Sequence, residues 1–281
     1  MNDERKPPML DKNKAIVILS GGQDSTTALF WAIEKYGREN VSAFSVNYGQ
    51  RHVIEIGSTM QVSVIADVPY EVQCIPGDAL ASTSPLLDKT QEVEEYEKPE
   101  DMPGGIEPTF VPMRNLLFLV LAANRAVAKG AGTLVIGVSE EDFGGYPDCR
   151  NLFLQSASLA LGAAVGLDSI GIAAPLLHLD KEATVRLAKE LGEDCWRAMA
   201  HTHTCYNGRV PPCGKCHACI LRSIGFTKAK EIDPLIVRAI NEHRACYNEE
   251  PLDDLAALGE YIAQFLNEEE LAKNADQEQK T

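Results

Sequence analysis

Ala15-Ile16-Val17-Ile18-Leu19-Ser20-Gly21-Gly22-Gln23-Asp24-Ser25-Thr26-Thr27, running on into Ala28-Leu29-Phe30-Trp31-Ala32-Ile33, decides the fold. The apolar run Ala15 to Leu19 reads as a buried strand and Ala28 to Ile33 as helix, so the glycines and hydroxyls between them sit at a helix N-terminus. Backbone N–H groups point outward there, where the helix dipole favours an anion. Glycines lack the side chain that would keep a phosphate off the backbone. No Lys-Ser or Lys-Thr closes the loop as in a Walker motif, and the glycine spacing is not that of a dinucleotide fold. The competing reading is a plain strand-to-helix turn capped by Ser20 or Asp24. The cluster of hydroxyls favours the phosphate cradle.

Outward from this loop, apolar strands alternate with helical patterns. Val41–Val46, Tyr70–Ile75, Thr133–Val138 and Ser169–Ala174 read as strands, and Ile54–Ala66 and Asn115–Lys129 as helices. Alternation of this kind predicts an α/β fold, a doubly wound parallel sheet with helices on both faces. Ligands in such sheets bind beyond the carboxyl ends of the strands. The expected division is an N-terminal extension over 1–13, an α/β domain over 14–195, a small metal-binding helical subdomain over 196–230, and an acidic helical extension over 231–281. Within that extension Asp233–His243 and Asp253–Phe265 read as short helices, and Asn274–Thr281 as a frayed end. Between Ile75 and Arg114 lies a stretch rich in proline and poor in periodicity, which fits either a lid over substrate or a passive insertion.

The chain has 281 residues, 45% hydrophobic and 24% charged, enough for a sizeable core. Its 26 Lys and Arg against 41 Asp and Glu give a net charge of −15, which argues against nucleic-acid binding driven by counterion release and for a small-molecule substrate. No apolar run reaches a membrane span, and Met1-Asn2-Asp3-Glu4-Arg5-Lys6 lacks a signal peptide's apolar core, so the expected location is cytoplasmic.

Four of the eight cysteines, Cys205, Cys213, Cys216 and Cys219, crowd one short segment. Cys213-Gly214-Lys215-Cys216-His217-Ala218-Cys219 has metal-ligand spacing, and Pro211-Pro212 stiffens the approach from Cys205. A closed tetrathiolate shell leaves no position for water, so a zinc ion there is structural. Ligand type alone does not separate zinc from an iron–sulfur cluster, and His201, His203 and His217 stand close enough to replace a thiolate. Cys74, Cys149, Cys195 and Cys246 read as small buried hydrophobes.

Ser20-Gly21-Gly22-x-Asp24-Ser25 resembles the loop of enzymes that split ATP between its α and β phosphates. Together with Tyr48-Gly49-Gln50-Arg51-His52, Phe110-Val111-Pro112-Met113-Arg114-Asn115, Gly145-Tyr146-Pro147-Asp148-Cys149-Arg150 and the cysteine cluster, in that order, it makes the chain from about Ala15 to Phe226 similar to the 7-cyano-7-deazaguanine synthase family. The resemblance implies an adenine nucleotide α-hydrolase-like fold and a ligase forming C–N bonds. The expected reaction joins 7-carboxy-7-deazaguanine and ammonia at the cost of ATP, with Mg²⁺, a structural Zn²⁺ on the four cysteines, and a homodimer. Catalytic roles fall to Ser20, Asp24, Arg114 and Lys181. The nucleotide is expected on Leu19, Ser20, Gly21, Gly22, Gln23, Asp24, Ser25, Thr26, Thr27, Ala28 and Leu29, with Val46 against the adenine. Substrate is expected on Arg51, His52, Glu141, Asp142, Tyr146, Asp148 and Arg150. Two other classes share the loop: a tRNA-modifying ATPase, which the acidic balance opposes, and a zinc-stabilised nucleotide sensor without turnover.

Overall fold

The computed structural model describes residues 9–52, 54–76, 78–80, 83–102, 105–141 and 145–246. The expected helix Asp253–Phe265 and the end Asn274–Thr281 lie outside them. The chain divides into two compact units, Met1–Asp233 and Pro234–Thr281.

In the first unit a five-stranded sheet runs β3-β2-β1-β4-β5, with β1 Asp11–Ile18, β2 Val41–Asn47, β3 Tyr70–Cys74, β4 Ala131–Ile136 and β5 Gly171–Ala173. Every pairing is parallel. This is the arrangement predicted from the alternation of strands and helices. β1 begins at Asp11, paired with Ala131, rather than near Ala15; its first four residues are exposed and three of them are charged, while Ala15 to Ile18 are buried.

The helices are α1 Gln23–Tyr36, α2 Ile54–Ala66, α3 Arg114–Lys129, α4 Asn151–Ala164, α5 Lys181–Glu190, α6 Glu193–Met199 and α7 His217–Ala229. Successive strand residues face opposite layers. Ala15, Val17 and Leu19 pack with Leu29 and Phe30 of α1, Val62 of α2 and Met199 of α6. Ile16 and Ile18 face Leu119 and Ala122 of α3 and Leu154 of α4. Two apolar layers on one sheet follow from that alternation, at roughly 25 cal/mol per Å² of apolar surface removed from water.

The strand order turns at β1: β2 lies on one side and β4 on the other, and the crevice beyond their carboxyl ends is where such folds take ligand. The loop Ser20–Gly22 opens into it. Among the described residues no helix is long and apolar enough to cross a membrane.

The stretch between β3 and α3, read from sequence as lid or insertion, is tied down along its described residues. Ser84 donates to the Thr109 carbonyl at 3.0 Å, Glu95 pairs with Cys216 as an antiparallel bridge, and Tyr96 N–H donates to the Lys215 carbonyl at 2.9 Å. Val93 packs among Cys205, Cys216 and Cys219. These contacts make it a wall built onto the cysteine segment.

In the second unit the described part is α8 Pro234–Cys246, within which Arg238 and Glu242 pair one turn apart at 3.3 Å. It covers the short helix expected from Asp233.

Candidate active site

The loop after β1 is shaped by its own hydroxyls. Ser20 Oγ lies 3.0 Å from Ser25 Oγ, which also accepts from Ser20 N–H at 3.1 Å and donates to the Gly22 carbonyl at 3.2 Å. Helix α1 starts at Gln23, so Asp24, Ser25 and Thr26 lie in its first turn. Neither Ser20 nor Asp24 serves as the cap: Gly22 holds that position, with no side chain on the first-turn donors. Gly21 takes φ +87°, and a Cβ there would meet the Glu55 carbonyl oxygen at 2.5 Å. Both the backbone angle and the closeness of α2 require glycine.

Lys181, first residue of α5, which packs in the same layer as α1, places Nζ 2.6 Å from Asp24 Oδ2. The start of α5 is held by its N-cap Asp180, whose carboxylate accepts from Ala183 N–H at 2.8 Å. The other oxygen of Asp24, Oδ1, is buried with no hydrogen-bond partner, and so is Gln23 Nε2. A buried carboxylate oxygen without a donor costs on the order of 1–3 kcal/mol, more if charged, so these atoms are groups that a ligand or cation would satisfy.

A cleft of about 250 Å³ spreads from this loop across the strand ends. Leu19, Ser20, Gly22, Gln23, Asp24, Ser25, Val46, Arg114 and Lys181 line it. Thr26, Thr27, Ala28 and Leu29 do not; they are fully buried and pack the helix onto the sheet. Arg114 opens α3 and sits among three phenols, Tyr48, Tyr146 and Tyr206. Burial opposes its charge, but those oxygens more than compensate and hold the guanidinium firmly protonated. Burial raises the phenols themselves, Tyr206 well above the usual tyrosine range, so they stay neutral. The result is a fixed cation in an aromatic wall, suited to an anionic group on a flat ring.

Of the expected substrate residues, Tyr146 and His52 line the cleft. Tyr146 is oriented by Thr109 Oγ1 at 2.8 Å. His52 is held by Glu55 at 3.1 Å. Arg51 points elsewhere: its guanidinium donates to the carbonyls of Pro85 at 2.9 Å and Asp88 at 3.2 Å, and to that of Gln91. Asp148 is buried beneath α3, where Oδ2 accepts from Asn115 N–H at 3.3 Å. Burial raises its pKa, partly offset by Arg114. Glu141 and Arg150 are exposed and do not line the cleft, and Asp142 lies outside the described residues. Tyr48, given no role of its own within its motif, and Tyr206 and Arg222, which the sequence did not single out, also line the cleft. Arg222 was visible only as a lone cation in an apolar helical stretch.

The four cysteines converge, their sulfurs all within 4.8 Å of one another. Cys213 Sγ and Cys219 Sγ are 3.9 Å apart, close to the roughly 3.8 Å edge of a tetrahedron with metal–sulfur bonds of about 2.3 Å. Cys205 Sγ accepts from Cys213 N–H and Cys213 Sγ from Cys216 N–H, each at 3.4 Å, which favours thiolates. The set can hold a metal ion, and no histidine takes part in it. His217 Nε2 lies instead 3.5 Å from Glu107 Oε1, both side chains buried. Burial, and then the Lys181 charge, bring His217 down to about 4, so the imidazole is neutral.

The family model for queuosine biosynthesis protein QueC matches residues 14–230. A Chromobacterium violaceum protein named 7-cyano-7-deazaguanine synthase is 43% identical over 226 residues, covering 80% of this chain and 94% of its own. Proteins of that name from Gloeobacter violaceus and Laribacter hongkongensis are 45% and 40% identical, over 79% and 81% of this chain and 95% and 96% of theirs. A solved 4-thiouridine synthetase in complex with RNA and bound ATP overlaps 81% of this chain and 52% of its own at 15% identity and a TM-score of 0.42, a likeness too slight to bear on function.

Proposed function

This chain belongs to the QueC family of queuosine biosynthesis proteins, and we propose that it converts 7-carboxy-7-deazaguanine and ammonia to 7-cyano-7-deazaguanine, with ATP split to AMP and pyrophosphate at each activation. The observation that carries this is the Ser20–Ser25 loop at the carboxyl end of β1, with Lys181 paired to one oxygen of Asp24 and the other oxygen buried without a partner.

A carboxylate does not lose oxygen to ammonia unaided, since the leaving group would be oxide or hydroxide. Transfer of AMP to that oxygen makes it a leaving group. In this reading the first-turn N–H groups of α1 and the hydroxyls of Ser20 and Ser25 hold the departing pyrophosphate. The Lys181 ammonium neutralises charge as the α–β bond breaks. Asp24 Oδ1 is the atom for Mg²⁺, which when bound would shield the phosphates. Val46 lies against the adenine, Arg114 meets the substrate carboxylate, and Tyr146 packs on the deazaguanine ring.

Ammonia attacks the acyl adenylate, AMP leaves, and a proton is lost to give the amide. Adenylation of the amide oxygen at the same site, followed by loss of AMP and two protons, gives the nitrile. The cysteine cluster holds a structural zinc ion away from these steps. We extend the proposal to a cytoplasmic homodimer, which size-exclusion chromatography tests directly.

Incubation with acid, ammonia, Mg²⁺ and ATP, followed by chromatography with mass detection, should give the nitrile and AMP. The free amide should also be accepted, with half the ATP consumed per nitrile. ADP as product, or a reaction that stops at the amide, would overturn the proposal.

A further inference from the structure

Helix α7 carries Cys216 at its N-cap and Cys219 in its first turn, yet its middle reaches both supports of the nucleotide loop. The first contact is Gly225. A Cβ at this position would lie 2.8 Å from the Lys181 carbonyl oxygen and 2.9 Å from Lys181 Cβ, nearer than real Cβ atoms come. Glycine disfavours a helix interior, so its presence there calls for a packing reason, and the backbone of Lys181 supplies one. Asp180 caps the start of α5 and ties Lys181 into a rigid turn. Displacement of that backbone therefore moves Nζ relative to Asp24.

The second contact lies one turn earlier. Arg222 donates to Thr202 Oγ1 at 2.8 Å and Thr204 Oγ1 at 3.0 Å. Between those threonines, His203 N–H donates to the Gly21 carbonyl at 2.8 Å. Asp233 grips Arg222 from behind with both carboxylate oxygens, at 2.6 and 2.8 Å.

We infer that α7 is a positioning element for adenylation, in which Gly225 sets the place of Lys181 and Arg222 sets that of Gly21. The inference rests on the adenylating reading of the loop. Neither residue needs to touch the reacting atoms: Gly225 holds Lys181, and Arg222 holds the backbone of the loop that presents Ser20 and Gly22 to the cleft. The same helix that the cysteines anchor thereby fixes the geometry of the phosphate site.

The test is substrate-dependent ATP–pyrophosphate exchange by the full-length, metal-loaded Gly225→Ala protein. Displacement of a charge-stabilising group on the scale of an ångström costs up to about a hundredfold in rate, so kcat should fall by at least about tenfold. KM for ATP and metal per chain should stay near parental values. A merely structural glycine predicts a different pattern: the clash would lower the melting temperature of Gly225→Ala while kcat stayed unchanged. In a Lys181→Ala background, Gly225→Ala should add no further loss, because both changes act through one ammonium. If Gly225→Ala does not accumulate as folded protein, Asp233→Asn probes the other support and should lower kcat severalfold with metal retained. Exchange within twofold of parent in the folded variants, or losses that multiply in the double variant, would overturn the inference. A parent protein that performs no exchange removes the adenylating reading itself, and this inference with it.

Discussion

The nucleotide loop and the cysteine segment are both irregular stretches that feed into a helix, and they treat their polar atoms in opposite ways. Before α1, the side chains of Ser20 and Ser25 bond one another, but Asp24 Oδ1 and Gln23 Nε2 are buried without partners and no side chain caps the helix. Before α7, sulfur meets sulfur or backbone N–H, and the wall segment around Val93 and Glu95 seals the outside. Orphaned atoms on an open cleft suit a ligand that comes and goes, whereas a closed sulfur shell suits a resident ion. Energy is thus stored differently in the two regions. One gives up stability for binding, and the other depends on binding for stability.

The largest effect expected from this contrast is at Cys205, which has no exposed surface. Cys205→Ala should abolish metal binding and with it the fold of the segment. Apparent binding energies of structural zinc, about 10–16 kcal/mol in small domains, rival the whole stability of a typical protein at about 5–15 kcal/mol. Elemental analysis and circular dichroism check both, with about one zinc per parental chain expected. A variant that melts like the parent would break the comparison.

Asp24→Asn should do the converse. It keeps the shape of the side chain but weakens the pair with Lys181 and the cation site, so exchange should drop by about 100-fold or more while the melting temperature moves by only a few degrees. Near-parental exchange would mean the loop's orphaned oxygen serves no ligand.

The smallest effect sharpens the boundary between the regions. Arg51 reads from sequence as a substrate residue beside His52, yet it braces the wall through three backbone carbonyls. Arg51→Ala should lower stability by about 1–2 kcal/mol and leave kcat within severalfold of parent. A loss as deep as that of Asp24→Asn would return Arg51 to the substrate.

What sequence disclosed and what it hid follow from the range of the interactions. Leu19 to Ser25 and the four cysteines are local patterns, readable because phosphate cradles and thiolate shells need their groups within a few residues of one another. The sheet was legible because strands buried on both faces form near-continuous apolar runs, and the exposed start of β1, Asp11 to Lys14, was missed because it lacks such a run. Arg51, Tyr206 and Arg222 were misjudged or overlooked for a different reason. Their roles depend on partners far away in the chain, such as Pro85 for Arg51 and Thr202 for Arg222, and no periodicity announces a tertiary hydrogen bond.

The position of β1 between β2 and β4 has a consequence for motion. Its amides are bonded within the interior of the sheet rather than at an edge, and opening them requires loss of two strand pairings at once. Amide hydrogens of Ile16, Val17 and Ile18 should therefore be among the slowest in the chain to exchange with deuterium, close to the limit set by global unfolding. The loop Ser20–Gly22 hangs from that strand, so slow exchange there would mean that the proposed phosphate site is referenced to a part of the molecule that stays still.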